Sequence, residues 1–105
     1  MEANDQVDSR EEILSRIQQV RDDIRTLGVR RLSLFGSFHH GDPAPDSDVD
    51  VLVEFEEGEK NFDRFMELSY LLEEVLGREI ELVTRESLSP YIGPRILENM
   101  EEVEI

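Results

Sequence analysis

The stretch that most restricts how this chain can fold is residues 48–55, Asp-Val-Asp-Val-Leu-Val-Glu-Phe. It alternates with a period of two, so in an extended strand Val49, Val51 and Val53 share one face while Asp48, Asp50 and Leu52 share the other. An apolar row of this kind has to be covered by other parts of the chain, which predicts a central strand of a layered sheet. That strand also opens with two carboxylates on one side.

The flanking pattern supplies the cover. Ser9 fits a helix N-cap with Glu11 and Glu12 in the first turn, and Ile13, Ile17, Val20, Ile24 and Leu27 recur at helical spacing up to a stop at Gly28. Residues 29–35 read as a first strand ended by Gly36-Ser37, and residues 38–47, rich in Gly, Pro and Asp, read as a loop. A second helix is predicted over 61–76, with Phe62, Phe65, Met66, Leu68, Leu72, Val75 and Leu76 as its apolar set and Gly77 as its stop. Residues 78–84 read as a third strand, Pro94 suits the first position of a closing helix, and residues 103–105 read as a short edge strand. The order helix, strand, strand, helix, strand, helix predicts an α/β (α+β) fold in which a single mixed β-sheet has helices packed on it. A length of 105 residues favours one domain over 9–105, preceded by a flexible N-terminal tail at 1–8.

Charge narrows the function. With 26 acidic and 11 basic side chains the net charge is −15. Stretches 1–8, 54–63 and 98–104 carry −3, −4 and −4 of it. Nucleic-acid binding draws on Lys and Arg to neutralise phosphates, and no basic patch is present, so a direct nucleic-acid binder is not expected. The absence of Cys excludes disulfides and thiolate metal sites. No apolar run approaches a bilayer span, and the N-terminal residues lack the pattern of a secretion signal, so a cytoplasmic protein is expected.

The chemistry concentrates in residues 34–55. Asp48 and Asp50, two positions apart on a strand, lie about 7 Å apart at their Cα atoms and can both reach one or two divalent cations. Mg²⁺ takes one or two carboxylates and completes its shell with water and phosphate oxygens, so the pair implies a phosphate-bearing partner. Gly36 permits a tight turn and a close approach of backbone to ligand, while the Ser37 hydroxyl and nearby N–H groups can point at an anion and cradle a triphosphate. Each motif alone is ordinary turn chemistry. Together they fall in the order that one metal–phosphate site requires, provided the first two strands are sheet neighbours.

In these residues the chain resembles the minimal nucleotidyltransferases, the MNT-domain proteins of the DNA polymerase β superfamily, often encoded as the antitoxin beside a HEPN-domain toxin. The superfamily signature is a strand, Gly-Ser, a spacer, then an acid-apolar-acid strand, here Gly36-Ser37 and Asp48-Val49-Asp50. The likeness runs from the first helix to the Arg-Ile-Leu at 95–97. Gly77-Arg78 and the strand after it look like the family segment that carries a third carboxylate, which falls at Glu81, with Glu79 as its competitor on the same strand face. The resemblance implies a nucleotidyltransferase (polymerase-β-like) fold, ATP as nucleotide donor and two Mg²⁺ ions held by Asp48, Asp50 and Glu81. It also implies Gly36 and Ser37 on the β- and γ-phosphates, Glu81 helping to deprotonate the acceptor, and AMP transfer to a tyrosine hydroxyl of the HEPN partner. Two departures stand out. The family's Ala-Arg before the spacer Gly is His39-His40-Gly41 here, which replaces a permanent cation by titratable rings, and the third acid is Glu rather than Asp.

A different class of function fits the same charge: a module that neutralises a basic toxin by contact alone, its nucleotide site decayed. The position of Glu81 discriminates the two. A small-molecule transferase would need a homodimer or hetero-oligomer to enclose its substrate. His39 and His40 read as a solvated loop pair, the acidic run at 54–59 as a solvated turn, Arg78 and Arg85 as surface charge, and Phe62, Phe65, Met66 and Tyr70 as core rather than adenine-stacking residues.

Overall fold

A computed structural model describes residues 9–36, 48–91 and 93–105. The predicted tail, Ser37 and the His39-His40-Gly41 stretch lie outside the described residues. Ser9 caps the first helix, its hydroxyl accepting from the Glu12 amide at 3.2 Å. The expected single helix is two, α1 (Arg10–Gln19) and α2 (Arg21–Thr26). The break falls at Val20, whose amide bonds to the Ile17 carbonyl three residues back in a tightened turn. Asp22 and Asp23 then occupy a fresh first turn, where acids are favoured. The apolar stripe survives the break, since Ile13, Ile17 and Ile24 are all buried.

Strands β1 (Val29–Phe35), β2 (Val49–Phe55), β3 (Ile80–Thr84) and β4 (Glu101–Val103) form one mixed sheet in the order β3-β2-β1-β4. The β1–β2 and β1–β4 pairs are antiparallel, and β2–β3 is parallel with helix α3 (Phe62–Leu76) as its crossover. Asn61 caps α3 by accepting from the Arg64 amide at 2.8 Å, and Gly77 ends it in the left-handed region at φ 68°, a conformation that suits glycine. A 3₁₀ turn (Arg85–Ser87) and helix α4 (Gly93–Glu98) follow β3. No helix among the described residues is long and apolar enough to cross a membrane.

The core lies on one side of the sheet. Leu32, Leu34, Val49, Val51 and Val53 meet Ile13, Ile17, Ile24, Leu68, Leu72, Val75 and Leu76 there. Phe62 and Tyr70 correct the expected helical core, being 75% and 61% exposed. Each projects from the solvent side of α3, while Phe65 and Leu71 pack on the cluster. The edge strand sits two residues earlier than its apolar ending suggested. Val103 pairs with Leu32 and is buried, and Glu101 pairs with Leu34. Arg10 forms an ion pair with Glu101, so a charged residue can occupy a strand position facing the helices. Further along, the Gln18 side-chain amide donates to the Glu104 carbonyl, and Arg25 donates to the Ile105 carbonyl at 2.9 Å.

Candidate active site

The register of three strands builds the site. Asp50 stands opposite Phe35 of β1 on one side and opposite Glu81 of β3 on the other. Because paired residues across a ladder project to the same face, Phe35, Asp50 and Glu81 all lie on the side of the sheet opposite the one that α1, α2 and α3 cover. Asp48 precedes β2 and is exposed. Glu79 falls one pleat below Glu81, its carbonyl accepting from the Val49 amide at 3.0 Å, so the register sets Glu81 rather than Glu79 beside Asp50.

Gly36 follows Phe35 immediately and therefore turns next to Asp50. Its φ is +77°, and a Cβ built there would lie 2.0 Å from Asp50 Oδ2 and 2.9 Å from Cγ. The carboxylate occupies the space that any other side chain would fill. The glycine bend and the aspartate strand are thus in direct contact.

Asp50 is partly buried between these neighbours, and its carboxyl is pushed up from the ordinary 3.8 to about 6. Removal from water is the largest cause, followed by the negative charges of Glu81 and then Asp48. Asp50 with exposed Asp48 two residues before it offers carboxylate oxygens of the kind a hard divalent cation takes, and such a cation would relieve the charge crowding on Asp50, so the donor chemistry fits Mg²⁺. Among the described residues, no group of three His, Cys, Asp or Glu side chains is arranged to hold a metal ion. Two aspartates completed by substrate oxygens and water are within what Mg²⁺ accepts.

The shift predicts a pH-dependent stability. A carboxyl whose folded value lies above its ordinary one is favoured in its protonated form by the fold, so stability falls as pH rises through the window from about 4 to about 6. Asp50→Asn removes that penalty. In chelator and at pH 8 the variant is expected to be more stable than the parent by about 1 kcal/mol, after allowing for solvent screening of a partly open group, and to match it at pH 4. Thermal melts at both pH values check this; a parent that is the more stable at pH 8 would contradict it.

Other charged candidates lie elsewhere. Arg78 is 7% exposed, which corrects its reading as surface charge; it follows the left-handed Gly77 and turns inward. Arg85 sits at the far end of β3 from Asp50, its Nη1 3.9 Å from Glu54. Glu54 also pairs with Arg31 at 3.4 Å, and Glu59 with Arg64, so the acidic run is partly ion-paired.

The residues that sequence reasoning missed border Gly36 on its other side. Phe35, Gly36, Arg95, Ile96 and Asn99 line a cavity of about 370 Å³ between β1 and α4. Only the return of α4 to the end of β1 brings Arg95 there, and no local spacing announces it.

Comparison with known proteins decides the family. Residues 17–103 match the model of the nucleotidyltransferase domain. The chain belongs to the nucleotidyltransferase domain family. It is 40% identical over 88 residues to protein adenylyltransferase MntA of Thermococcus cleftensis, covering 83% of this chain and 88% of that one. Among solved structures, a candidate minimal nucleotidyltransferase superposes with a TM-score of 0.76 at 30% identity, over 93% of this chain and 97% of the other. The fold alone is shared with the structure of a tri-AMPylated HEPN toxin in complex with MNT antitoxin from Shewanella oneidensis, at a TM-score of 0.63, 20% identity, and coverage of 90% and 71%. The mixed four-stranded sheet with its helices is the minimal nucleotidyltransferase fold.

Proposed function

We propose that this nucleotidyltransferase transfers AMP from ATP to a hydroxyl, a tyrosine of a HEPN-type toxin, and so acts as an antitoxin by adenylylation. The observation that carries the reading is the contact between the Gly36 bend and the Asp50 carboxylate, with Asp48 and Glu81 beside it. A relative at 40% identity is named a protein adenylyltransferase, and a structure of the same fold holds an AMPylated HEPN toxin, which supports the partner class.

Asp48 and Asp50 would hold Mg²⁺, which when bound neutralises phosphate charge and fixes the oxygens around the α-phosphorus. Gly36 and Ser37 would seat the β- and γ-phosphates. Glu81, adjacent to Asp50 across the β2–β3 ladder, would take the proton of the acceptor hydroxyl as it attacks the α-phosphorus. The bond from that phosphorus to the bridging oxygen breaks, and pyrophosphate leaves with the electron pair. Positioning and charge neutralisation supply most of the acceleration in chemistry of this kind. The shared face of Asp50 and Glu81 favours a catalytic role over neutralisation by contact alone.

Incubating the chain with HEPN toxin, α-labelled ATP and Mg²⁺ is expected to give labelled toxin, with label lost in chelator and lost from a toxin whose acceptor tyrosine is Phe. Label that persists in chelator would count against the metal assignment. Neutralisation of the toxin without any label would favour the contact-only reading.

A further inference from the structure

We propose that the cavity between the Gly36 turn and α4 receives the β- and γ-phosphates of the nucleotide, with Arg95 as the protein cation that neutralises them. The inference rests on the nucleotidyltransferase reading above and adds to it a residue and a specificity.

Charge makes the case. A nucleoside triphosphate is a polyanion, and the acids on the Asp50 side of Gly36 repel it except where a metal ion intervenes. A chain of net charge −15 must therefore supply positive charge where the phosphate tail extends past the metal. Of the cavities on the described surface, two are lined by acids without a cation: one between α2 and α3 by Asp23, Glu67 and Glu74, the other along β4 by Glu101, Glu102 and Glu104. The cavity at Gly36 differs in carrying Arg95.

Arg95 is also uncommitted. Arg10, Arg16, Arg31, Lys60, Arg64 and Arg85 pair with carboxylates, whereas among the described residues none pairs with Arg95, which is exposed on α4. Its backbone is anchored, because the Asn99 side-chain amide donates to the Arg95 carbonyl at 2.8 Å. The cavity volume of about 370 Å³ lies within the roughly 300–1,000 Å³ of ligand pockets. Gly36 forms the shared wall between the acids and the arginine. A nucleotide whose α-phosphate sits at the aspartates and whose tail runs past the Gly36 backbone would end at the guanidinium, which can bind phosphate through two parallel hydrogen bonds. A monophosphate would stop short of it, so Arg95 selects triphosphate over monophosphate.

The test measures calorimetric affinity for ATP and for AMP with Mg²⁺, on the full chain and on Arg95→Ala and Arg95→Lys. Arg95→Ala is expected to weaken ATP binding about tenfold and AMP binding less than about twofold, with Arg95→Lys recovering part of the loss. In transfer assays the KM for ATP should rise while kcat at saturation stays close to the parent's. ATP affinity unchanged in Arg95→Ala, or an equal loss for ATP and AMP, overturns the inference and leaves the proposed function standing. A parent chain that binds no ATP with Mg²⁺ overturns both. Melting curves that superpose on the parent's establish that the variants are folded.

Discussion

Asp50→Asn is expected to reduce AMP transfer by more than about a hundredfold while the chain stays folded. The amide keeps the shape of the side chain and its fit against Gly36 but removes the charge that would draw a divalent cation between β1 and β3. Loss of that charge weakens a stabilisation worth several kcal/mol at the transferring phosphate, and each 1.36 kcal/mol is tenfold in rate. Asp48→Asn should lose activity to a similar extent with a smaller gain in stability, since Asp48 is exposed and its charge is the least of the three causes that raise the Asp50 carboxyl. The two variants thus separate chemistry from folding: both lose activity, and Asp50→Asn melts the higher of the two at pH 8. Transfer within tenfold of the parent by either variant would sink the assignment of these aspartates.

Gly36→Ala should be the most damaging single-methyl addition near the site. The backbone there is in the left-handed region, where a Cβ costs roughly 1–2 kcal/mol, and the added atom would fall 2.0 Å from Asp50 Oδ2. Something must shift, and every shift pushes the Asp50 carboxylate from its place. A destabilisation of about 2 kcal/mol or more is expected, on the order of 10 °C in Tm for a domain this size, together with loss of transfer. Denaturant unfolding of Gly36→Ala, Asp50→Ala and the double variant checks the cause. If the clash is responsible, the double variant is more stable than the sum of the singles predicts; strict additivity would show that the two residues do not meet.

Much of this site was legible because its signals are local. The alternation of residues 49–53 placed Val49, Val51 and Val53 inward, and the Asp48–Asp50 spacing and the Gly36 bend each follow from chain geometry over a few residues. Glu81 was different. Its place beside Asp50 depends on the β2–β3 register across an intervening helix, which no spacing reveals, and family likeness alone singled it out over Glu79. Arg95 depends on a still longer return, from the end of the chain to the end of β1. The helix break at Val20 was hidden because the apolar stripe continues through it, although Asp22 and Asp23 carried the sign of a second start. Phe62 and Tyr70 misled for the opposite reason: hydropathy assigned them to a core that helical phase denies them. Glu101 reads as an outward charge until Arg10, from the other end of the domain, is there to meet it.

The links from α1 and α2 to β4 and the two residues after it join residues 91, 86 and 80 positions apart. Such distant partners set a kinetic order on self-assembly. The ring closure they require is entropically expensive and is offset only once both ends are ordered, so the outermost ladder should zip up late, after the helix-covered β1–β2 hairpin has condensed. Refolding should accordingly run on the order of milliseconds or slower, not in the microseconds open to chains built from near neighbours.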